Sequence, residues 1–292
     1  KKYSGVDIIS ADSRQVYQGL EILSGADIPE GFETEKDLSV SAFRFFQKGD
    51  VRLFGISIVK PDEDWSVAQF QEYALPIIEA ARTDHRALII VGGTGLYHQH
   101  LFNPDPTLHV PPNEEFRALA QEMSLEELQA MLLQLNAKKF ENMNNSDKNN
   151  PRRLIRAIEV SQVAPITDEI PHSDFQQTYI GLTASLDFIV KKIEARISQR
   201  LKHGVLQEIE NLQQTYGDRL CEQVKTTLGF EQLSQLSAGS ISKEEAVEQW
   251  QTAEKQYAQR QLTWWRAKEF VKFFAVDQQA DWLVQALKFA SD

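Results

Sequence analysis

Asp12 stands at the head of a run of hydrogen-bonding side chains, Asp12, Ser13, Arg14 and Gln15, directly after the apolar stretch VDIIS. A carboxylate in that setting can orient an amine or hydroxyl nucleophile and take its proton. It can equally cap the turn that follows. A second segment, IIVGGTGLY at residues 89–97, has the same layout: an apolar run, then Gly92, Gly93, Thr94 and Gly95. Glycines there let the backbone approach a ligand, and successive N–H groups can cradle an anion. Thr94 adds a hydroxyl for a phosphate or a leaving group, although a tight strand-to-helix turn without any ligand would use the same residues. Both segments sit where the carboxyl end of a buried parallel strand falls, the edge at which open α/β sheets bind ligands.

Cations come next. Arg152, Arg153 and Arg156 are close together in PRRLIRAIEV, and Arg152 and Arg156, four apart, share one helix face. Such a face can hold backbone phosphates, or it can pair with acids such as Glu159. KKIEARISQRLKH adds Lys191, Lys192, Arg196, Arg200 and Lys202 against Glu194 alone. Arg260 interrupts the stripe Ala246, Trp250, Ala253, Tyr257 and Trp264. A buried or half-buried guanidinium needs a partner, so it points into a ligand crevice or pairs with a core carboxylate. Trp264 and Trp265 read as core. The six histidines show no metal-ligand spacing, His98 and His100 included, and Cys221 reads as an inert core residue.

The elements that must position these groups are legible in outline. VDIIS, VRLFGISIV, ALIIV, QTYIGLTA and VKFFAV read as strands, and residues 24–50 as a polar stretch of weak periodicity. Ser66 with Gln69, and Ser124 with Glu127, are capping boxes. The helix after Ser66 carries Pro76, a kink signal. Pro151 suits the first position of a helix capped by Asn150. A helix over 185–203 stops at Gly204, and Ser242 with Glu245 opens a last long helix. Strand, helix and strand in succession point to a parallel crossover, and four prolines within residues 103–112 mark a boundary.

Composition narrows the class. The 292 residues carry a formal net charge of -11, which argues against nonspecific nucleic-acid binding over the whole surface but leaves room for a local basic groove. A single cysteine excludes a disulfide framework and a thiolate zinc site and goes with a reducing, cytoplasmic compartment. No apolar run approaches the roughly 20 residues that span a bilayer, so no membrane partner is expected.

The motifs ISADSRQVY, PDEDWSVAQF, IIVGGTGLY, NNPRRLIRAIEV, RISQRLKHGVLQEI, TLGFEQL and RQLTWWR, in this order, resemble the tRNA dimethylallyltransferases over nearly the whole chain. The resemblance implies a P-loop NTPase-like α/β core, a parallel sheet flanked by helices, over residues 1–108 and 148–292, with a tRNA-contacting helical insertion over 109–147. It implies transfer of a dimethylallyl group from dimethylallyl diphosphate to N6 of the adenine next to the anticodon (position 37 of the tRNA), with Mg²⁺, on a base flipped out of its stack. Under it Asp12 is the catalytic base and Thr94 a catalytic residue beside the reacting centre. Gly93, Thr94 and Arg260 face the diphosphate. Contacts to the tRNA anticodon stem-loop fall to Asp12, Ser13, Arg14 and Gln15, to Arg117, to Arg152, Arg153, Leu154, Ile155 and Arg156, and to Thr226, Thr227, Leu228, Gly229 and Phe230. No side chain is assigned as a metal ligand, and a monomer is expected.

The chain departs from that pattern in places. No GxxxxGK[ST] phosphate loop occurs in it; SGADIP stands where GTAKP is usual, LFGIS where His-His-Leu is usual, and Gln259 where a lysine is common. The first expectation is an active transferase whose phosphate loop precedes residue 1 in the natural protein. The alternatives are a relative that binds tRNA without modifying it, and a prenyltransferase acting on free adenine nucleotides.

Overall fold

A computed structural model describes residues 3–26, 28–36, 43–102, 105–163 and 177–290. The chain divides into two compact units, one of residues 1–101 with 174–292 and one of residues 102–173.

In the larger unit, β1 (Val6–Ser10), β2 (Glu33–Lys36), β3 (Arg44–Lys48), β4 (Val51–Phe54) and β5 (Ala87–Val91) form one sheet in the order β2-β3-β4-β1-β5. β1 lies between β4 and β5 and runs parallel to both, with Ile8 opposite Leu53 on one side and Ile89 on the other. The crossover from β4 to β5 therefore passes over β1. The polar stretch hid an antiparallel hairpin, β2 with β3, and β3 pairs antiparallel with β4. VRLFGISIV is a strand only as far as Phe54, and Val59 makes an isolated bridge to Tyr17. β6 (Tyr179–Thr183) and β7 (Val271–Ala275) pair parallel as a separate two-stranded sheet. Asp7, fully buried in β1, is held by Arg52 Nε and Nη2 at 2.7 and 2.6 Å and by Arg86 Nε at 2.7 Å. A buried carboxylate is tolerable only with such partners, and these three side chains tie together the amino ends of β1, β4 and β5.

The first helices are α1 (Glu21–Ser24), α2 (Val67–Thr83) and α3 (Gly95–Leu101). The Ser66–Gln69 capping box is present on α2, which runs through Pro76 and buries Phe70, Ala74, Ile77 and Ile78.

The smaller unit holds α4 (Glu114–Ala120), α5 (Leu125–Leu135), α6 (Ala137–Asn142), α7 (Asn145–Lys148) and α8 (Pro151–Ser161). Ser124 and Glu127 form the second capping box, and Asn150 caps α8 with Pro151 in its first turn. Phe116, Leu128, Leu132, Leu154 and Ile158 make its core. Residues from 148 on were expected in the α/β core, but α8 spends its apolar face on α5 and so belongs to the smaller unit.

The chain then returns to the larger unit as α9 (Leu186–Lys202), α10 (Val205–Tyr216), α11 (Glu222–Lys225), α12 (Phe230–Ser237), α13 (Lys243–Arg266) and α14 (Trp282–Phe289). Gly204, at φ +89°, takes the left-handed conformation that ends α9. Ile197, Ile209, Leu212, Val224, Leu233 and Trp250 pack with Val16, Tyr17, Leu20 and Leu23 into one apolar cluster. The segment after Asp12 is thus seated on this helical layer.

Candidate active site at the ends of two parallel strands

β1 and β5 end side by side, and their following turns interlock. Ala11 N–H donates to the Val91 carbonyl at 2.7 Å, and Thr94 N–H donates to the Ala11 carbonyl at 3.3 Å. Thr94 Oγ1 accepts the Ser13 N–H at 3.2 Å. Asp12 and Thr94, paired on sequence grounds, therefore sit in one bonded unit. Asp12 Oδ1 accepts the N–H of Arg14 at 2.8 Å and of Gln15 at 3.4 Å. The capping reading of Asp12 therefore holds for Oδ1, and no hydrogen bond to Oδ2 occurs among the described residues. Burial raises the Asp12 carboxyl above its ordinary value, opposed by those two N–H groups and by Arg14 and Arg200. A carboxylate fixed by one oxygen and made more basic is a fit general base.

The glycines of the turn serve packing. A Cβ on Gly92 would overlap the Ala11 backbone, one on Gly93 the Gln261 side chain, and one on Gly95 the Trp264 ring. Gln261 and Trp264 come from α13, whose end lies over this turn. Tyr257 hydrogen-bonds the Gln261 side chain, and burial and then the Asp12 charge raise its hydroxyl. His98 Nε2 lies 3.2 Å from the Gly92 carbonyl, the ring edge-on to Trp265, and burial lowers the imidazole. Trp264 and Trp265, read as core, are half-buried around the site.

Arg260 departs from expectation: it is exposed, stacked over Tyr257 at 5.7 Å. At this end of α13 the inward side belongs to Tyr257, Gln261 and Trp264, and Arg260 lies one residue, about 100°, round from Gln261. The carboxylate that α13 does bury is Glu254, which pairs with Arg196 at 2.7 Å and Arg200 at 3.2 Å. That pairing turns Arg200 of the second basic island inward, while Arg196 reaches Glu254 from the exposed side.

Arg14 Nη2 donates to Thr226 Oγ1 at 3.3 Å, joining the segment after β1 to the run before α12. Of that run, Thr227 and Phe230 are buried, Leu228 packs against the core, and Gly229, at φ +91°, lies against the Trp250 ring.

In the smaller unit, Arg152 and Arg153 are exposed, and Arg153 pairs with Asp147. Arg156 donates to the Thr107 carbonyl at 2.8 Å and reaches Glu159 at 3.4 Å. Arg117 grips Glu159 with Nε at 2.8 Å and Nη2 at 3.3 Å, and the Asn113 N–H adds a third donor at 3.0 Å. Burial would raise Glu159, but Arg117, the Asn113 N–H and Arg156 together hold it below its ordinary value. Leu154 is fully buried and Ile155 half-buried, so that helix offers its arginines outward and its aliphatic residues inward.

The model of the IPP transferase family matches residues 46–268. The chain belongs to the IPP transferase family. Curated relatives include the tRNA dimethylallyltransferase of Geobacillus thermodenitrificans, 31% identical over 280 residues (94% of this chain, 83% of the relative). The tRNA dimethylallyltransferase 2 of Treponema denticola is 32% identical over 277 residues, 92% of this chain and 85% of its own. Among solved structures, the full-length tRNA isopentenylpyrophosphate transferase of Bacillus halodurans superposes with a TM-score of 0.65 at 27% identity, covering 98% of this chain and 87% of that one. A eukaryotic dimethylallyltransferase acting on tRNA gives a TM-score of 0.72 at 20% identity, over 96% of this chain and 70% of its own, a likeness of fold. The mixed α/β architecture with its parallel-rich sheet is thus that of IPP transferases. Within it, residue reasoning missed Tyr257, Gln261 and Glu254. Gln261 alone had a signal, as the glutamine of the RQLTWWR motif.

Proposed function

We propose that this chain transfers the dimethylallyl group of dimethylallyl diphosphate to N6 of the adenine next to the anticodon of a tRNA. Membership of the IPP transferase family and the names of its curated relatives support the reaction class. The observation that carries it onto residues is the placing of Asp12 beside Thr94, which bonds the Ala11 carbonyl and the Ser13 N–H on either side of Asp12, with Oδ1 of Asp12 fixed by two N–H groups. In this reading the N6 lone pair attacks the allylic carbon, the carbon–oxygen bond to diphosphate breaks, and the N6 proton passes to Asp12 Oδ2. Charge builds on the departing phosphate oxygens, where Thr94 and the backbone of Gly93 supply donors.

Among the described residues no three His, Cys, Asp or Glu side chains cluster as a metal site. Mg²⁺ carried on a diphosphate needs few protein ligands, and hydroxyl oxygen is a donor it accepts. Thr94 Oγ1 fits, since accepting one N–H leaves it a lone pair. Bound there, the ion would neutralise diphosphate charge. Among the described residues no helix is long and apolar enough to cross a membrane. A cytoplasmic monomer, with the lone Cys221 thiol buried and reduced, completes the proposal.

The test is incubation with dimethylallyl diphosphate, Mg²⁺ and either an anticodon stem-loop or AMP, followed by mass analysis of the nucleosides. Prenylated adenosine in the stem-loop alone is expected. No product, or product on AMP only, overturns the proposal.

A further inference from the structure

The turn that presents Asp12 is secured from another helix, and we infer that Glu208 is a positioning residue: its carboxylate clamps α1 and, through Gly25 and Gln15, fixes the turn carrying Asp12. The inference rests on the proposed transfer reaction for its kinetic consequence, but its structural content stands apart.

α1 has four residues, too few to persist alone in water. Leu20, which precedes it, offers no capping oxygen, so its first N–H groups need an acceptor from elsewhere. Glu208, on α10, supplies both: Oε2 accepts Ile22 N–H and Oε1 accepts Leu23 N–H, each at 2.8 Å. The helix closes at Gly25, φ +67°, with the Arg200 guanidinium against it, so no side chain fits there. The Gly25 carbonyl then accepts Gln15 Nε2 at 2.9 Å, while Gln15 Oε1 accepts the Ser10 hydroxyl at 2.7 Å. A second route runs through Glu21, whose Oε1 accepts the Ser57 hydroxyl at 2.5 Å. Ser57, a non-glycine residue at φ +52°, sends its N–H to the Gln15 carbonyl at 3.0 Å. Both routes end on Gln15, whose own N–H points at Asp12 Oδ1.

Keeping this acid is costly. Burial first, and then the neighbouring Glu21, push Glu208 up to about 7, against the N–H groups of Ile22 and Leu23 and the charge of Arg200. A surface-facing side chain on α10 would avoid that cost, and the geometry it secures is the compensation.

The test compares Glu208→Gln and Glu208→Ala with Glu210→Gln, a control on the same helix whose carboxylate accepts the Ser237 hydroxyl at 2.9 Å. Two readouts are taken on the full chain: amide hydrogen exchange over residues 11–25, and steady-state transfer to tRNA. Expected is exchange about tenfold faster in both Glu208 variants, reaching Arg14 and Gln15 as well as Ile22 and Leu23. With it kcat falls about tenfold while the KM for tRNA stays within about twofold. Glu208→Gln keeps the shape and one acceptor, so it still reports if Glu208→Ala fails to fold. Faster exchange confined to Ile22 and Leu23, unchanged kcat, or the same losses in Glu210→Gln would overturn the inference. If the wild-type chain transfers nothing, the functional proposal fails, and the exchange pattern alone still decides the clamp.

Discussion

Arg14 and Thr226 are 212 residues apart in sequence, yet the guanidinium of one donates to the hydroxyl of the other at 3.3 Å. Thr226 Oγ1 donates in turn to the Glu222 carbonyl at 2.6 Å. The contact ties the loop after β1 to the helical layer, and it does so at the surface. Exposed polar contacts contribute little stability.

Replacing Thr226 by valine should therefore shift thermal stability by less than about 1 kcal/mol. The same change frees the Arg14 side chain beside Asp12, and a fall in transfer rate with little change in melting is the expected pattern. Paired melting curves and initial rates check it; an unchanged rate would leave the contact as decoration.

Asp12→Asn separates base from cap. Asparagine keeps an oxygen for the Arg14 and Gln15 N–H groups but cannot take a proton. Loss of about 10²-fold or more in kcat is expected with tRNA affinity retained. Because burial raises the Asp12 carboxyl, the wild-type rate should climb with pH through a value above that of an ordinary aspartate. The stability sign is opposite. A carboxyl raised in the folded state contributes stability below its unfolded value, lost as pH rises through the folded one. At neutral pH Asp12→Asn should be at least as stable as wild type. A less stable variant would mean that the charge itself holds the turn.

How far the sequence reveals this depends on what each residue answers to. The runs VDIIS and ALIIV are short, apolar and β-branched, flanked by polar residues, so local signals agree with their place in a parallel sheet. The β2 and β3 hairpin escaped because Phe45 and Phe46 are both buried, which erases the alternation that marks a half-exposed strand. Asp12 and Thr94 were legible as a pair because strand ends of one parallel sheet converge. Glu208 and Glu254 were not. Each occupies an ordinary helical position, and its partner comes from a distant segment. The glycines around Thr94 signal close approach, but what approaches, Gln261 and Trp264, is a tertiary fact.

Glu159 organises the arginines of the smaller unit, and removing its charge is informative. Its side chain is 1% exposed and faces Arg117 and Arg156. Glu159→Gln leaves Arg117 without its bidentate partner, and a loss of about 2–3 kcal/mol is expected, short of the full buried-pair value because both arginines are part-exposed. Glu159 is held below its ordinary value. Its contribution is present above that ordinary value and is lost as pH falls through the lowered one. Denaturant titrations at neutral and acid pH check both points: the gap between wild type and variant should close in acid.

Gly95 tests whether α13 sets the site. A methyl group there would overlap the Trp264 ring, and the ring is itself wedged edge-on to Trp265 at 4.6 Å with Lys268 over it at 4.7 Å. Neither the backbone of α3 nor a ring held on two sides yields easily, so Gly95→Ala should cost about 1–3 kcal/mol by overpacking. The end of α13 must then shift, and Gln261 with it, away from Gly93. Transfer should fall more than stability alone explains at a temperature where the variant is fully folded. Gly95→Ala paired with Trp264→Leu offers the decisive comparison. The smaller side chain vacates the space, so the double variant should recover stability over Gly95→Ala alone, and a double variant worse than either single change would show that the ring is not what excludes the methyl group.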